Sequence, residues 1–135
     1  MRKLAGITLI ELMIAVAIVA VLAGVAYPSY MRHILTSHRT EASSTLIRLA
    51  NLEERYYLDN NQYGSLFQLG LTATSAATYT TTNGYYTITI ATPTTSTYTL
   101  TATASGTQAS DSDCATYTLT QNGTKTSSSS SNCWN

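Results

Sequence analysis

The side chains best suited to chemistry in this 135-residue sequence are two cysteines, two histidines and a few carboxylates. Cys114 and Cys133 are not spaced as CxxC, which speaks against a dithiol redox pair. His33 and His38 lie far from them in sequence, so two thiolates without histidine make a poor zinc site. The histidines are five apart, not four, and so do not share one helix face. Both are expected on exposed helix surface, and no metal site is expected. Asp111 and Asp113 flank Ser112 and offer hard oxygens of the kind calcium takes, but six or more ligands are not visible. A solvated acidic loop is the better reading. Asn122-Gly123-Thr124 matches a glycosylation acceptor, yet Asn-Gly after a strand is better explained as a hairpin turn. No nucleophile–base pair, glycine-rich phosphate loop or paired catalytic carboxylates stand out, so neither an enzyme nor a cofactor is expected.

The carboxylate of Glu11 is different, because its surroundings make it expensive. It interrupts a stretch that is otherwise apolar from Ile7 to Ala26. A charge inside a membrane helix costs roughly 2.5–3.5 kcal/mol on insertion scales, and such residues usually mark function.

Composition narrows the classes. Net charge is zero and only 10% of residues are charged. Past Tyr56, Lys125 is the only Lys or Arg, whereas sequence-independent DNA binding needs several cations on one face. The head that follows the N-terminal apolar segment is thus, by itself, a poor nucleic-acid receptor. The apolar fraction is 44%, much of it in the first 30 residues, which leaves a thin core for the rest. A thin-cored exported domain commonly needs a covalent staple. A disulfide between Cys114 and Cys133 supplies one, closing a loop whose entropy contributes roughly 3 kcal/mol.

The elements that carry these residues follow from periodicity. Residues 1–6 are short and basic, and Arg2 and Lys3 stay cytoplasmic by the positive-inside rule. Residues 7–26 are long enough to cross a bilayer as a helix. Beyond Pro28, apolar positions at Leu35, Ala42, Leu46, Leu49, Leu52 and Tyr56 recur at helical spacing, with Arg39, Glu41, Arg48 and Glu54 between them. "DNNQYG" ends the helix. Gly24 and Pro28 are expected points of bending. A connecting loop follows over 59–78, its "LFQLGL" side chains turned inward. From about Tyr79 the period becomes two: "GYYTITIA", "STYTLTATA" and "ATYTLTQ" alternate threonine with larger apolar residues, as strands with one buried face do. A short fourth strand is expected near Thr124 to Ser127, then a low-complexity serine run over 127–131. The fold class is α+β, a one-sided helix laid on a small antiparallel sheet.

The N-terminus also fits a secretory signal peptide, with "AGVA" ending at Ala26 as the cleavage site. That reading predicts a soluble binding domain released after Ala26. Against it stand Glu11, almost at the start of the apolar region, and the helical pattern that resumes soon after the cut.

"GITLIEL", Gly6 to Leu12, resembles the class III signal of type IV prepilins: a basic leader, a glycine, then an apolar helix with Glu at its fifth residue. "HRTEA", "EERYYLDNNQY", "LGL", "YYTITIATPTTSTYTLTATA" and the closing "NCWN" are similar to PilE-type minor pilins of Gram-negative bacteria. The resemblance covers nearly the whole chain and implies the type IV pilin fold. It implies cleavage between Gly6 and Ile7 by a prepilin peptidase and N-methylation of Ile7, where the family usually has Phe. It divides the chain into a leader at 1–6, a membrane and filament-core helix at 7–30, an amphipathic head helix at 31–58, and loop, sheet and disulfide-closed end at 59–135. It implies membrane lipid as the first surroundings, then other pilins and the inner-membrane assembly machinery as partners. The head lies in the periplasm before assembly and outside the cell after it. The implied roles are pilus assembly, twitching motility, adhesion or DNA uptake. A major pilin and a type II secretion pseudopilin share the same signal. Within this family Glu11 acquires a partner, the cationic amine that cleavage creates on Ile7 of its own chain or a neighbour.

Overall fold

The structure, a computed structural model, describes residues 6–91, 96–129 and 133–134. Most of the basic leader, with Arg2 and Lys3, lies outside the described residues, as does the end of the serine run at 130–131. The chain divides into two units, residues 1–34 and 35–135. One helix, α1, runs over Leu9–Asn60 and contributes to both.

In the first unit α1 is apolar and unburied. Leu9, Ile10, Met13, Ile14, Val16, Val19, Val21 and Val25 all stand exposed. By length and composition this segment suffices to cross a membrane. The helix begins at Leu9, two residues after the expected start at Ile7. It continues without interruption through Gly24 and Pro28, so neither residue terminates it.

In the second unit the helix is one-sided. Ala42, Leu46 and Leu49 are fully buried and meet Tyr86, Ile88, Leu100, Ala102, Tyr117 and Leu119 in one core. Burying such side chains contributes about 1.5–3 kcal/mol each, the main drive holding helix to sheet. The helix stops where Asn61 takes a left-handed φ of 56° and donates its amide to the Tyr57 carbonyl at 2.8 Å. Asn tolerates that conformation, which is why "DNNQYG" works as a stop.

The sheet has five antiparallel strands in sequential order: β1 Thr78–Thr80, β2 Tyr86–Ala91, β3 Thr99–Ala104, β4 Thr116–Thr120 and β5 Lys125–Ser127. Four were expected. β1 falls at the edge of the supposed connecting loop and is only three residues long, too short to show an alternation by itself. It becomes a strand by pairing Thr78, Tyr79 and Thr80 with Thr89, Ile88 and Thr87. The Asn122-Gly123 turn joins β4 to β5 as expected, with Gly123 at φ 76° and its amide on the Thr120 carbonyl.

The "LFQLGL" stretch differs from expectation in part. Leu66 is buried, but Phe67 is half exposed. Residues 65–71 wind into a tight turn, with the Leu69 amide on the Ser65 carbonyl and the Leu71 amide on Leu66. Successive side chains of a turn cannot all face one way.

Candidate functional site

In the first unit the chemistry sits at the start of α1. Gly6, Ile7 and Thr8 are non-helical and exposed. The Glu11 amide donates to Thr8 Oγ1 at 3.3 Å, and the Thr8 amide approaches Glu11 Oε2 at 3.5 Å. This is the reciprocal pairing of a capping box, in which an N-cap hydroxyl and a carboxylate three residues on satisfy each other's backbone donors. Glu11 therefore has a local role beside the one its resemblance implies. Thr8-x-x-Glu11 is the signal that could have revealed it. The carboxylate also lies in the first helical turn, where the helix dipole favours negative charge.

In the second unit three neighbours on α1 each hold a different part of the head. Arg39 donates from Nε and Nη2 to both oxygens of Asp111, each at 2.7 Å. The geometry is bidentate, the strongest arrangement for this pair. The hydrogen bond to Asp111 raises the Arg39 pKa above its ordinary value. Glu41 accepts from the backbone and side-chain nitrogens of Asn83, both at 3.1 Å, and so holds the turn between β1 and β2. His38 stacks on Tyr85 with ring centroids 3.7 Å apart, and its Nδ1 donates to Gln108 Oε1 at 3.1 Å. Because an amide oxygen only accepts, Nδ1 carries the proton.

Gln108 belongs to a short 3-10 turn, Gly106–Ser110, and is fully buried. Its Nε2 donates to the Leu35 carbonyl at 3.0 Å and lies 3.1 Å from the Tyr86 hydroxyl and from Asp111 Oδ2. Helix, strand and turn thus share one polar network. Two expectations change here. His38 is packed against the head, while His33 remains exposed. Asp111 is buried at 4% exposure, not solvated, whereas Asp113 is open to water. Nothing near in sequence announces these pairs, which span about seventy residues. Among the described residues no cluster of metal-ligating side chains is present.

Glu53 is a second buried carboxylate, and sequence reasoning passed over it. Its Oε2 accepts the Gly64 amide at 2.8 Å, while Oε1 is buried without a partner. Burial pushes its pKa up to about 7. A Cβ at Gly64 would meet the Tyr56 ring at 3.1 Å, closer than ordinary van der Waals contact. The signal was positional: Glu53 continues the stripe of Ala42, Leu46 and Leu49.

Cys114 and Cys133 are joined by a disulfide, both sulfurs buried. It ties the C-terminal end to the start of β4. Beside it, Trp134 donates from Nε1 to the Thr126 carbonyl at 2.8 Å, and Lys125 Nζ sits 5.3 Å from the indole centroid. The Tyr117 hydroxyl is buried without a partner, and burial raises its pKa.

Comparison with known proteins agrees with this architecture. Residues 1–27 match the prokaryotic N-terminal methylation motif. The chain is 39% identical over 80 residues to the type IV wide pilus major component PilA4 of Thermus thermophilus, covering 56% of this chain and 61% of that protein. It is 35% identical over 62 residues to the type II secretion system core protein G of Aeromonas hydrophila, covering 46% and 43%. It is 36% identical over 58 residues to the type IV major pilin PilA of Myxococcus xanthus, covering 43% and 26%. The chain thus spans at most 61% of the length of these relatives. Residues 28–118, the head helix and most of the sheet, match the family described as type IV minor pilin ComP, DNA uptake sequence receptor, and with the apolar helix and antiparallel sheet this makes the chain a member of that type IV pilin family.

Proposed function

We propose that this protein is a minor structural subunit of type IV pili, made as a prepilin, cut between Gly6 and Ile7 and methylated on Ile7. The observation that carries the reading is the pairing of an exposed apolar helix with a carboxylate at its first turn. Glu11 Oε2 already reaches the backbone nitrogen of Thr8, one residue from the amine that cleavage would free. In the membrane or in a bundle of such helices, that amine and Glu11 offset each other's desolvation, within one chain or between neighbours. The helix anchors the subunit in the inner membrane, with the head in the periplasm, and later joins the filament core. Other pilins, the assembly machinery and the prepilin peptidase are the corresponding partners.

The proposal does not extend to DNA binding by the head. Arg39 is engaged by Asp111 and Lys125 lies over Trp134, which among the described residues of the second unit leaves the exposed Arg48 and Arg55 on one helix face as a sparse phosphate contact.

Glu11→Val tests the reading. Membrane insertion and cleavage survive, because the scissile bond is intact and a charge leaves an apolar helix. Entry into pili fails. Breaking a buried charge pair costs roughly 3–5 kcal/mol, more than a hundredfold in incorporation. The measurement is mature protein in sheared pili against mature protein in the inner membrane. Wild-type incorporation of the variant would remove Glu11 from assembly. A secretion defect with no protein in pili would assign the chain to type II secretion instead.

A further inference from the structure

The chain carries nearly the same turn twice, Thr81-Thr82-Asn83-Gly84 between β1 and β2 and Thr120-Gln121-Asn122-Gly123 between β4 and β5. In each, the glycine amide donates to the threonine carbonyl at 2.9 Å. Each glycine stands at a left-handed φ, 77° for Gly84 and 76° for Gly123. Both asparagines are exposed. Asn-Gly is the pair most open to attack by a backbone nitrogen on the asparagine side chain, because glycine has no Cβ to obstruct the approach. The two turns differ in what holds them. Glu41 accepts from both nitrogens of Asn83. The Gly84 carbonyl also accepts from Ser105 Oγ at 2.8 Å, and the Tyr86 amide donates to Thr81 Oγ1 at 3.1 Å. Among the described residues, the Asn122 side chain has no hydrogen-bond partner. The strand beyond it, β5, is three residues long and lies at the sheet edge. Short edge elements of this kind open locally with little free energy.

We propose that Asn122 is a site of spontaneous deamidation and that Glu41 locks Asn83 against the same reaction. The Gly123 nitrogen gives its proton to hydroxide and attacks Asn122 Cγ. The bond from that nitrogen to Cγ forms, the Cγ–Nδ2 bond breaks, and Nδ2 leaves as ammonia with a proton from water. The five-membered imide then takes up water and opens at either carbonyl, to aspartate or to isoaspartate. Water is the only co-reactant, and nothing is oxidised or reduced. The ring closes only when the turn opens, since the Gly123 amide is otherwise held by Thr120. Gly84 is held by Thr81 in the same way, so this requirement does not separate the two sites. Glu41 does. Its oxygens fix Asn83 at backbone and side chain, and its charge disfavours the anionic nitrogen and the anionic adduct that must form beside it. Conversion at Asn122 places a carboxylate on the β4–β5 turn. The isoaspartyl product also adds one backbone carbon there, against the register that pairs Leu119 with Lys125.

The test incubates the full chain in detergent micelles, at mildly alkaline pH, in heavy-oxygen water. Digestion follows in ordinary water, so only conversion in the intact chain carries the label. Mass spectrometry reads labelled acid at both asparagines of one sample, and a denatured sample is treated alongside. Denatured, the two sites convert at similar rates. Folded, Asn122 converts severalfold faster than Asn83. Glu41→Ala raises conversion at Asn83 severalfold and leaves Asn122 as in wild type, with unchanged circular dichroism. Glu41→Gln keeps the length but loses the charge and one acceptor, so it gives a smaller rise at Asn83; it decides the matter if the alanine variant does not fold. The proposal is overturned if folded wild type shows no labelled acid at Asn122 while the denatured chain converts, or if Asn83 converts as fast as Asn122 when folded. It is overturned too if neither Glu41 variant changes Asn83. A sugar on Nδ2 of Asn122, in protein recovered from its own cell, would assign the residue to glycosylation and overturn it as well.

Discussion

Glu53 holds the start of the loop after α1 through one oxygen and leaves the other dry. Its pKa is raised to about 7 by burial first, with the nearby charge of Glu54 adding to the rise and the Gly64 amide opposing it. The sign follows. A carboxyl with a folded pKa above its unfolded value of 4.5 binds protons more tightly when folded. Its contribution to stability is complete below about pH 4.5 and is lost as pH rises through about 7. Thermal unfolding of the full chain in detergent should therefore show a falling melting temperature across that window. Glu53→Gln should flatten the fall while keeping an acceptor for Gly64. An unchanged slope in the variant would place the titration elsewhere. Individual residues were unevenly legible. The cysteines could be paired from composition and export alone. Asp111 and Glu53 could not be read as buried, because a carboxylate's burial depends on a partner that only the fold supplies.

At the scale of elements, helix and strands are written in the sequence as periods of 3.6 and 2, and the structure has them within a few residues. The exceptions are physical. β1 exists only through its neighbour, and the helix starts two residues late because Thr8 caps it. What periodicity does not carry is the link between elements. The Arg39–Asp111 pair ties α1 to the chain just past the 3-10 turn, and its breakage is measurable. Arg39→Leu leaves a buried carboxylate without a cation and should cost roughly 3 kcal/mol, the low end for such pairs because Arg39 keeps 19% of its side chain wet. Arg39→Leu with Asp111→Leu should recover most of that loss, since apolar replacement of a whole buried pair is often neutral. Urea unfolding of the two single variants and the double variant closes the cycle. Additive losses would mean that the pair is not coupled.

For the whole molecule, everything turns on where the mature chain begins. The apolar segment of α1 is kept if the chain is cut before Ile7 and discarded if it is cut after Ala26. In the first case the protein is a membrane-anchored subunit with Glu11 beside a new amine. In the second it is a released domain with neither. The measurement that separates them is mass spectrometry of the N-terminal peptide of protein recovered from sheared surface filaments. The account predicts a chain starting at N-methylated Ile7, with Glu11 retained. A chain starting at Tyr27, or one still carrying Met1 to Gly6, would contradict it.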